Sequence, residues 1–233
     1  MLVLHGFTGS PVSMRPVADR FVGLGYAVEM PLLPGHGTAV EDMVPTRWAD
    51  WLEAAASAYA ALDARTDKVA VIGLSMGGGL ALALAERFTE IVALGLINPL
   101  VVAPGAELRQ IIGQLLEAGE ETAESIGSDI AKEGVTEQGY DATPLRAALS
   151  LFEGSDEVEA RLGEISCPIR VLTSTQDHVV APETSDAIVE RTSGSVERSY
   201  LERSYHVATL DHDADLVLDE LERFIATELG VAR

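Results

Sequence analysis

The sequence has little cysteine and little positive charge. Cys167 is the single cysteine, which excludes an intrachain disulfide and a metal site built from several cysteines. Lysine and arginine number 16 against 37 aspartates and glutamates, so the formal net charge is -21. A chain this acidic repels nucleic acids and anionic membranes, and we predict neither as a partner.

Long apolar runs are also lacking. No run reaches the roughly 18–20 residues of a membrane span, and the N-terminus does not have the basic and apolar segments of a signal peptide. We therefore expect a cytoplasmic protein without stable membrane anchoring. The length of 233 residues and the 47% hydrophobic content indicate one ordinary globular domain, with or without an insertion.

Short apolar runs alternate with longer amphipathic stretches, which is typical of βα units around a parallel sheet. Several runs are continuous in Val, Ile and Leu, as expected for strands buried on both faces. The predicted strands are Leu2–Leu4, Tyr26–Met30, Val69–Gly73, Val92–Ile97, Ile169–Thr173 and Val196–Leu201. The predicted helices are Met14–Leu24, Trp48–Ala64, Met76–Phe88, Ala181–Arg191 and Leu216–Glu228.

One region breaks this alternation. Between Pro99 and Pro168 no stretch has a convincing strand pattern, whereas apolar residues recur at helical spacing from Leu108 to Leu116. We predict a helical insertion too long for an ordinary loop and interpret it as a cap over a site, with a packing appendage as the alternative. The predicted division is a core of residues 1–100 and 166–233 and a cap of residues 101–165.

The insertion contains an acidic stretch, Glu117–Glu137, with few apolar residues. It is either a solvated face of the cap or a mobile lid. Runs of charge usually mark solvated faces, so we favour the first interpretation.

The strongest motif is Gly73-Leu74-Ser75-Met76-Gly77, which follows an apolar run and opens a stretch rich in Ala and Leu. The G-x-S-x-G pattern between a strand and a helix is the nucleophile elbow. It places the Ser75 hydroxyl on a strained turn, and the N–H of Met76 at the start of the helix faces the place where an oxyanion would form. The alternative is a glycine-rich turn that packs a helix on a sheet.

A second glycine-flanked turn, His5-Gly6-Phe7-Thr8-Gly9, directly follows the first predicted strand. Such a turn leaves backbone N–H groups free to bind an anion. The Phe7 N–H is the candidate for the second oxyanion donor that the elbow requires. An ordinary strand–helix loop is the alternative.

A serine nucleophile needs a base. His206 lies after the last predicted strand and before the last predicted helix, which is the position of the base in the chain order serine, acid, histidine. We favour it over His212, which lies in an acidic run. His178 directly follows an acid, and His5 and His36 lie in glycine turns, where we interpret them as residues that shape loops.

The base needs an acid that orients it. Asp177 follows the predicted strand Ile169–Thr173 through a short turn, as expected for that acid. A turn-capping aspartate is the alternative interpretation. Asp156 inside the predicted cap and Asp186 inside a predicted helix are weaker candidates.

Together these motifs resemble the α/β-hydrolase fold and, more narrowly, small bacterial carboxylesterases and monoacylglycerol lipases. The matching segments are LVLHGFTGSP, GYAVEMPLLPGHGT, VIGLSMGG, TSTQDHVV and SYHVATLDHD. The resemblance implies a mostly parallel sheet flanked by helices, with a helical cap. It also implies Ser75 as nucleophile, Asp177 as acid and His206 as base, with Phe7 and Met76 as oxyanion donors and neither metal nor cofactor.

Relatives usually have a strand or two before the loop at His5, whereas this chain begins within that strand. We therefore expect about six parallel strands. Alternatively, Met1 is an internal start and one sheet edge is uncovered.

The expected reaction is acyl transfer from an ester to water. Apolar residues at the start of the insertion are candidates for an acyl pocket, with plain core packing as the alternative: Leu100, Val101, Leu108 and Ile112. We predict short- to medium-chain esters as substrates. A thioesterase, a lactonase or a C–C bond hydrolase with the same triad, and a non-catalytic receptor on this scaffold, remain alternatives.

Overall fold

A five-stranded parallel sheet lies at the centre of the computed structural model, which describes residues 1–230. The seven strands are β1 (Leu2–Leu4), β2 (Ala70–Leu74), β3 (Ala93–Ile97), β4 (Thr122–Glu124), β5 (Ala142–Pro144), β6 (Ile169–Ser174) and β7 (Val196–Leu201). The order in the central sheet is β1-β2-β3-β6-β7, and every neighbouring pair is parallel.

The predicted strand Tyr26–Met30 does not form a strand. It pairs with β1 through a single parallel bridge between Leu2 and Glu29, with hydrogen bonds from Val3 N to Glu29 O at 2.8 Å and from Glu29 N to Met1 O at 2.9 Å. Pro31 follows this segment and has no N–H to continue a ladder. The sheet therefore has five strands and one bridged edge segment rather than six strands.

Helices cover both faces of the sheet. They are α1 (Arg15–Gly23), α2 (Val40–Met43), α3 (Trp48–Asp63), α4 (Met76–Arg87), α5 (Ala106–Glu117), α6 (Leu145–Arg161), α7 (Asp186–Arg191) and α8 (Ala214–Leu229). The predicted helices match these closely except for Ala181–Arg191, where a 3-10 turn at Pro182–Ser185 precedes α7. None of the described helices is long and apolar enough to cross a membrane.

Two apolar clusters hold these layers together. One joins the sheet to α3, α4 and α6, and the other joins its opposite face to α1 and α8. A Cβ atom built on Gly154 in α6 would lie 2.2 Å from Cδ2 of Trp48 in α3. This contact explains a glycine in the middle of a helix, because any side chain there would displace the indole.

The segment between β3 and β6 contains α5, the strands β4 and β5, and α6. The two strands form an antiparallel hairpin, which contradicts our expectation that this region lacks strands. Each is three residues long, too short to give a periodic pattern. Helix α6 packs against α3 and α4, and the division of the chain at residues 101 and 165 stays a prediction.

A buried carboxyl lies between α4 and α6. The Glu86 side chain is 4% exposed, and its Oε2 lies 3.3 Å from Nη1 of Arg161. Its Oε1 has no hydrogen-bond partner among residues 1–230. Burial raises the pKa of Glu86 to about 7, although the Arg161 charge opposes this shift.

We predict that Glu86→Gln stabilises the protein at high pH. Unfolded Glu86 ionises near pH 4.5, so the folded protein loses stability as the pH rises from 4.5 through about 7. The variant should melt about 2–4 °C higher than wild type at pH 8, the shift expected for about 1 kcal/mol. The difference should shrink toward pH 5.

Thermal unfolding at pH 5 and pH 8 measures this effect. Glu90→Gln, at an exposed position near the end of α4, is the charge-matched control. A melting difference that is equal at both pH values, or that Glu90→Gln reproduces, would contradict the interpretation.

Candidate active site

The loops that follow the strands of a parallel sheet leave it at one edge, where ligands bind in such folds. In this protein those loops carry polar and potentially reactive residues. They are His5–Gly9 after β1, Ser75 after β2, Asn98 after β3, Asp177 after β6 and His206 after β7. The sheet therefore collects residues that lie far apart in the sequence.

Ser75 lies between β2 and α4 with φ 56° and ψ −120°, a conformation that side-chain-bearing residues rarely adopt. The backbone on both sides of Ser75 packs closely against neighbouring backbone. A Cβ built on Gly73 would lie 2.1 Å from the Gly77 carbonyl oxygen, and one built on Gly77 would lie 2.3 Å from the Leu4 carbonyl oxygen. Only glycine fits at either place, which accounts for both glycines of the motif.

Backbone hydrogen bonds hold the strained serine. Its N–H donates to the Ile97 carbonyl at 3.0 Å. Its carbonyl accepts from Gly78, Gly79 and Leu100 at 2.9, 3.2 and 3.1 Å. A strained residue persists only where its surroundings fix it in this way. The turn thus presents the Ser75 side chain in a fixed position.

Asp177 and His206 form a hydrogen-bonded pair. The Asp177 Oδ2 atom lies 2.7 Å from His206 Nδ1, and both side chains are buried. Asp177 Oδ1 accepts from the N–H groups of Val179 and Val180, each at 2.8 Å. Since an ionised carboxylate only accepts, Nδ1 carries the proton in this bond and Nε2 is the basic nitrogen of the neutral ring.

The rival acids and base are engaged elsewhere. Asp156 makes a two-point ion pair with Arg109 at 2.7 and 2.8 Å. Asp186 lies in α7 and pairs with Arg198. The His212 side chain is exposed. Within residues 1–230, none of these three residues hydrogen-bonds to either member of the buried pair.

The loop after β1 approaches the serine closely. A Cβ built on Gly6 would lie 3.4 Å from Cβ and 3.9 Å from Oγ of Ser75. The Phe7 ring packs edge-on against Trp51 at 5.6 Å. The N–H groups of Phe7 and Met76 have no hydrogen-bond acceptor within the described part of the chain, so both can donate to a ligand.

Tyr140 fastens the inserted segment to this loop. Its N–H donates to the Thr8 carbonyl at 3.0 Å. Its hydroxyl donates to the Gly35 carbonyl at 2.7 Å and accepts from Thr38 N–H at 3.1 Å. The insertion, the loop after β1 and the loop around Gly35 are therefore joined by one side chain and its backbone.

His5 and His36 lie buried behind the same loop, with ring centroids 4.9 Å apart. His5 Nε2 accepts from Leu33 N–H at 3.2 Å, and His36 Nδ1 lies 3.0 Å from the Pro34 carbonyl. Burial lowers the pKa of His5 to about 3 and that of His36 to about 4. These contacts agree with the interpretation of both residues as loop-shaping.

The four candidates for an acyl pocket separate into two groups. Leu100, Val101 and Ile112 are buried in one apolar cluster with α3, α4 and α6. Leu108 lies on α5 with 42% of its surface exposed. Their contact with a substrate stays a prediction.

Asn98 is a site residue that the sequence analysis missed. It has φ 43°, is buried, and its Nδ2 donates to the His206 carbonyl at 2.7 Å and to Ser174 Oγ at 2.9 Å. The amide thereby fixes the backbone of His206 from the core side. Its partner is 108 residues away, so no local pattern indicates this role.

Glu137 is the second residue missed. We favoured the acidic stretch as a solvated face, but the Glu137 carboxyl points inward: a Cβ built on Gly9 would lie 2.9 Å from its Oε1. Burial raises the pKa of Glu137, while the charge of His206 and a hydrogen bond with Ser13 oppose this shift. A carboxyl group from the insertion thus lies close to His206 and to the loop after β1.

We predict that His36 contributes to acid lability. Unfolded His36 takes up a proton near pH 6.5, whereas the folded protein resists this until about pH 4, so stability is lost as the pH falls through that window. One such histidine makes the free energy of unfolding rise by about 1.4 kcal/mol per pH unit between these two pH values. In His36→Gln the slope should be smaller by this amount.

Urea unfolding at pH 4.5, 5.5 and 6.5 measures this slope. His212→Gln is the control, because its side chain is exposed. An unchanged slope in His36→Gln would show that the histidine is not kept neutral by folding.

The chain resembles known proteins over almost its whole length. Residues 1–213 match the family model Hydrolase_4, described as serine aminopeptidase, S33. A thermostable monoacylglycerol lipase from Bacillus sp. (strain H-257) is 38% identical over 99% of this chain and 91% of its own. A carboxylesterase from Bacillus subtilis (strain 168) is 26% identical over 97% of this chain and 91% of its own.

Solved structures give the same result. A structure from work on the metagenome-derived lipolytic enzymes LipS and LipT superposes with a TM-score of 0.92 at 37% identity and covers 97% of this chain and 92% of that one. A monoacylglycerol lipase from Paleococcus ferrophilus superposes with a TM-score of 0.77 at 15% identity, over 97% and 94% of the two chains. The second likeness concerns the fold alone.

Proposed function

Since the chain belongs to the Hydrolase_4 family of serine hydrolases, we propose that it is a carboxylic-ester hydrolase of the carboxylesterase or monoacylglycerol lipase type. The observation that carries this proposal is the buried Asp177–His206 hydrogen bond of 2.7 Å at the same sheet edge as the strained Ser75. Relatives at 38% and 26% identity bear these two names.

In the proposed reaction Ser75 is the nucleophile. Its oxygen attacks the ester carbonyl while His206 Nε2 takes the hydroxyl proton. Asp177 holds the ring through Nδ1 and stabilises the imidazolium. The tetrahedral intermediate collapses, the proton passes to the leaving alkoxide, and an alcohol departs from the acyl-enzyme. Water then repeats both steps and releases the carboxylic acid.

The N–H groups of Phe7 and Met76 are the proposed oxyanion donors. Both lack an acceptor among residues 1–230, and the Met76 N–H is at the positive end of the α4 dipole. A donor of this kind is typically worth about 2.7–4 kcal/mol of transition-state stabilisation. No step of this reaction requires a metal or an organic cofactor.

Residues 101–165 are proposed to cover the site as a cap. Leu100, Val101 and Ile112 lie in one buried cluster near the serine turn, and Leu100 N–H donates to the Ser75 carbonyl. We propose these residues as the apolar side of the acyl pocket, with Leu108 at its exposed rim. A pocket bounded by core side chains favours short- to medium-chain esters.

Glu137 is proposed to face the alcohol part of the ester. Its carboxyl lies beside the loop that supplies Phe7 and beside His206, where a leaving alcohol receives its proton. A carboxyl group at this place can accept hydrogen bonds from alcohol hydroxyl groups. We propose that it does so with the free hydroxyl groups of a polyol ester such as a monoacylglycerol.

The absence of a nucleic-acid partner and a cytoplasmic location are also proposed. The first rests on the net charge of -21, because a chain of that sign repels a polyanion.

The direct test is hydrolysis of p-nitrophenyl esters from acetyl to palmitoyl. We expect an optimum at short to medium chains, and Ser75→Ala should lower kcat by about 10⁶-fold. Ser193→Ala, at an exposed position, is the control. Acyl thioesters and amino-acid p-nitroanilides are assayed in parallel. The proposal would be refuted if the folded wild type hydrolysed only the thioesters or only the p-nitroanilides, or if it hydrolysed no ester.

A second test addresses Glu137. Glu137→Ala should raise KM for a 1-monoacylglycerol about 10-fold, the value of one lost hydrogen bond to a charged group. The methyl ester of the same fatty acid should be hydrolysed with a KM within about 2-fold of wild type. Glu133→Ala, exposed in the same stretch, is the control. Equal changes for both substrates would show that Glu137 does not recognise the alcohol.

A further inference from the structure

A short piece of the insertion, residues 129–132, lies against the loop that carries His206. Ile130 packs with the cluster that joins the sheet to α1 and α8. Asp129 is buried although it belongs to the acidic stretch. The Val207 N–H donates to the Asp129 carbonyl at 3.1 Å. Asp129 and Ile130 therefore pack against the body of the protein.

The Asp129 side chain contacts two loops of the candidate site at once. Its Oδ2 accepts from the His206 N–H at 3.0 Å and from the His178 N–H at 3.1 Å. Its Oδ1 lies 2.8 Å from His178 Nδ1. His178 is the neighbour of Asp177 in the chain. One carboxylate thus joins the backbone beside the acid to the backbone of the base.

A second buried carboxylate, that of Asp211, also anchors this piece. Asp211 accepts from the N–H groups of Ala131 at 2.7 Å, Lys132 at 2.9 Å and Tyr205 at 2.9 Å. Asp211 therefore fastens the insertion to the loop, whereas Asp129 bonds directly to the residue that we propose as the base. Substitutions of Asp129 and of Asp211 are therefore expected to have different effects.

The backbone of His206 is held at both ends. Its N–H donates to Asp129, and its carbonyl accepts from Asn98 Nδ2 at 2.7 Å. Asn98 comes from the end of β3, and Asp129 comes from the insertion. The position of the imidazole therefore depends on two residues whose hydrogen bonds go to the backbone of His206.

We propose that Asp129 is a positioning residue that sets the relative placement of His206 and Asp177, so that the insertion is part of the catalytic apparatus. This inference rests on the proposed function. An Asn at this place replaces a carboxylate with a neutral amide, whose oxygen accepts weaker hydrogen bonds from the two backbone N–H groups. Its NH₂ group faces His178 Nδ1 instead of a carboxylate oxygen. The hydrogen bonds that join the two loops are therefore weaker, and the loops shift relative to each other.

The test compares Asp129→Asn with Asp211→Asn on a p-nitrophenyl ester. Misplacement of reacting groups by about 1 Å costs about 10²-fold in rate, so we expect Asp129→Asn to lower kcat by about 10- to 100-fold with KM within about 2-fold. Asp211→Asn should lower the melting temperature at least as much while kcat changes less. The melting temperature of each variant is measured alongside.

A spectroscopic readout distinguishes positioning from general destabilisation. The proton in the 2.7 Å bond between His206 Nδ1 and Asp177 should give a downfield ¹H NMR resonance, identified by ¹⁵N-histidine labelling. We expect it in wild type and Asp211→Asn, and expect it to shift or broaden in Asp129→Asn. Asp129→Glu, which keeps the charge but displaces it by one methylene, is the second variant if Asp129→Asn does not fold.

Unchanged kcat and an unchanged resonance in a folded Asp129 variant would overturn the inference. So would equal kcat losses in the Asp129 and Asp211 variants with a resonance retained in both. If wild type hydrolyses no ester, the proposed function fails, and the resonance alone decides the positioning role. A resonance present in wild type and perturbed only by the change at Asp129 supports it in that case.

Discussion

The strained turn at Ser75 is the constraint on which the rest of this structure depends. Ser75 has a φ of 56° and is the single residue between β2 and α4. Helix α4 begins so close to β2 that Gly73 has no room for a Cβ, and so close to β1 that Gly77 has none. The Ser75 N–H donates to the Ile97 carbonyl of β3, and the Ser75 carbonyl accepts from the Leu100 N–H. The strained turn is thus held by β1, β2, α4, β3 and the segment at Leu100.

Some of the acidic side chains of this chain lie inside the protein and accept hydrogen bonds there. Asp129, Asp177 and Asp211 each accept two or more hydrogen bonds from backbone N–H groups. Hydrogen bonds to ionised acceptors are shorter and stronger than those between neutral groups. These carboxylates give order to loops that have no secondary structure, and they do so where the loops carry the proposed catalytic residues. A count of surface charges alone would overlook this role.

The sequence predicted most of the sheet and the residues at its edge, because each is marked by its immediate neighbours. The apolar runs mark β2, β3, β6 and β7, and the glycines mark the turn at Ser75. The hairpin of β4 and β5, the single bridge at Glu29 and the inward carboxyl of Glu137 lack such marks. Asp129 and Asn98 bond to partners 77 and 108 residues away. Their roles depend on distances that only the folded chain defines.

Tyr140 and the piece at residues 129–132 divide the insertion into three parts. Between these two anchors the chain is tied at both ends, and Glu137 lies within that tied span. The part before Asp129, which includes α5 and β4, has no such ties to the loop of His206 among the described residues. The proposed acyl-pocket residues Val101, Leu108 and Ile112 lie in this part, whereas Asp129 and Glu137 do not. The insertion therefore brings its apolar contacts and its contacts with the histidine loop from two separate stretches of chain.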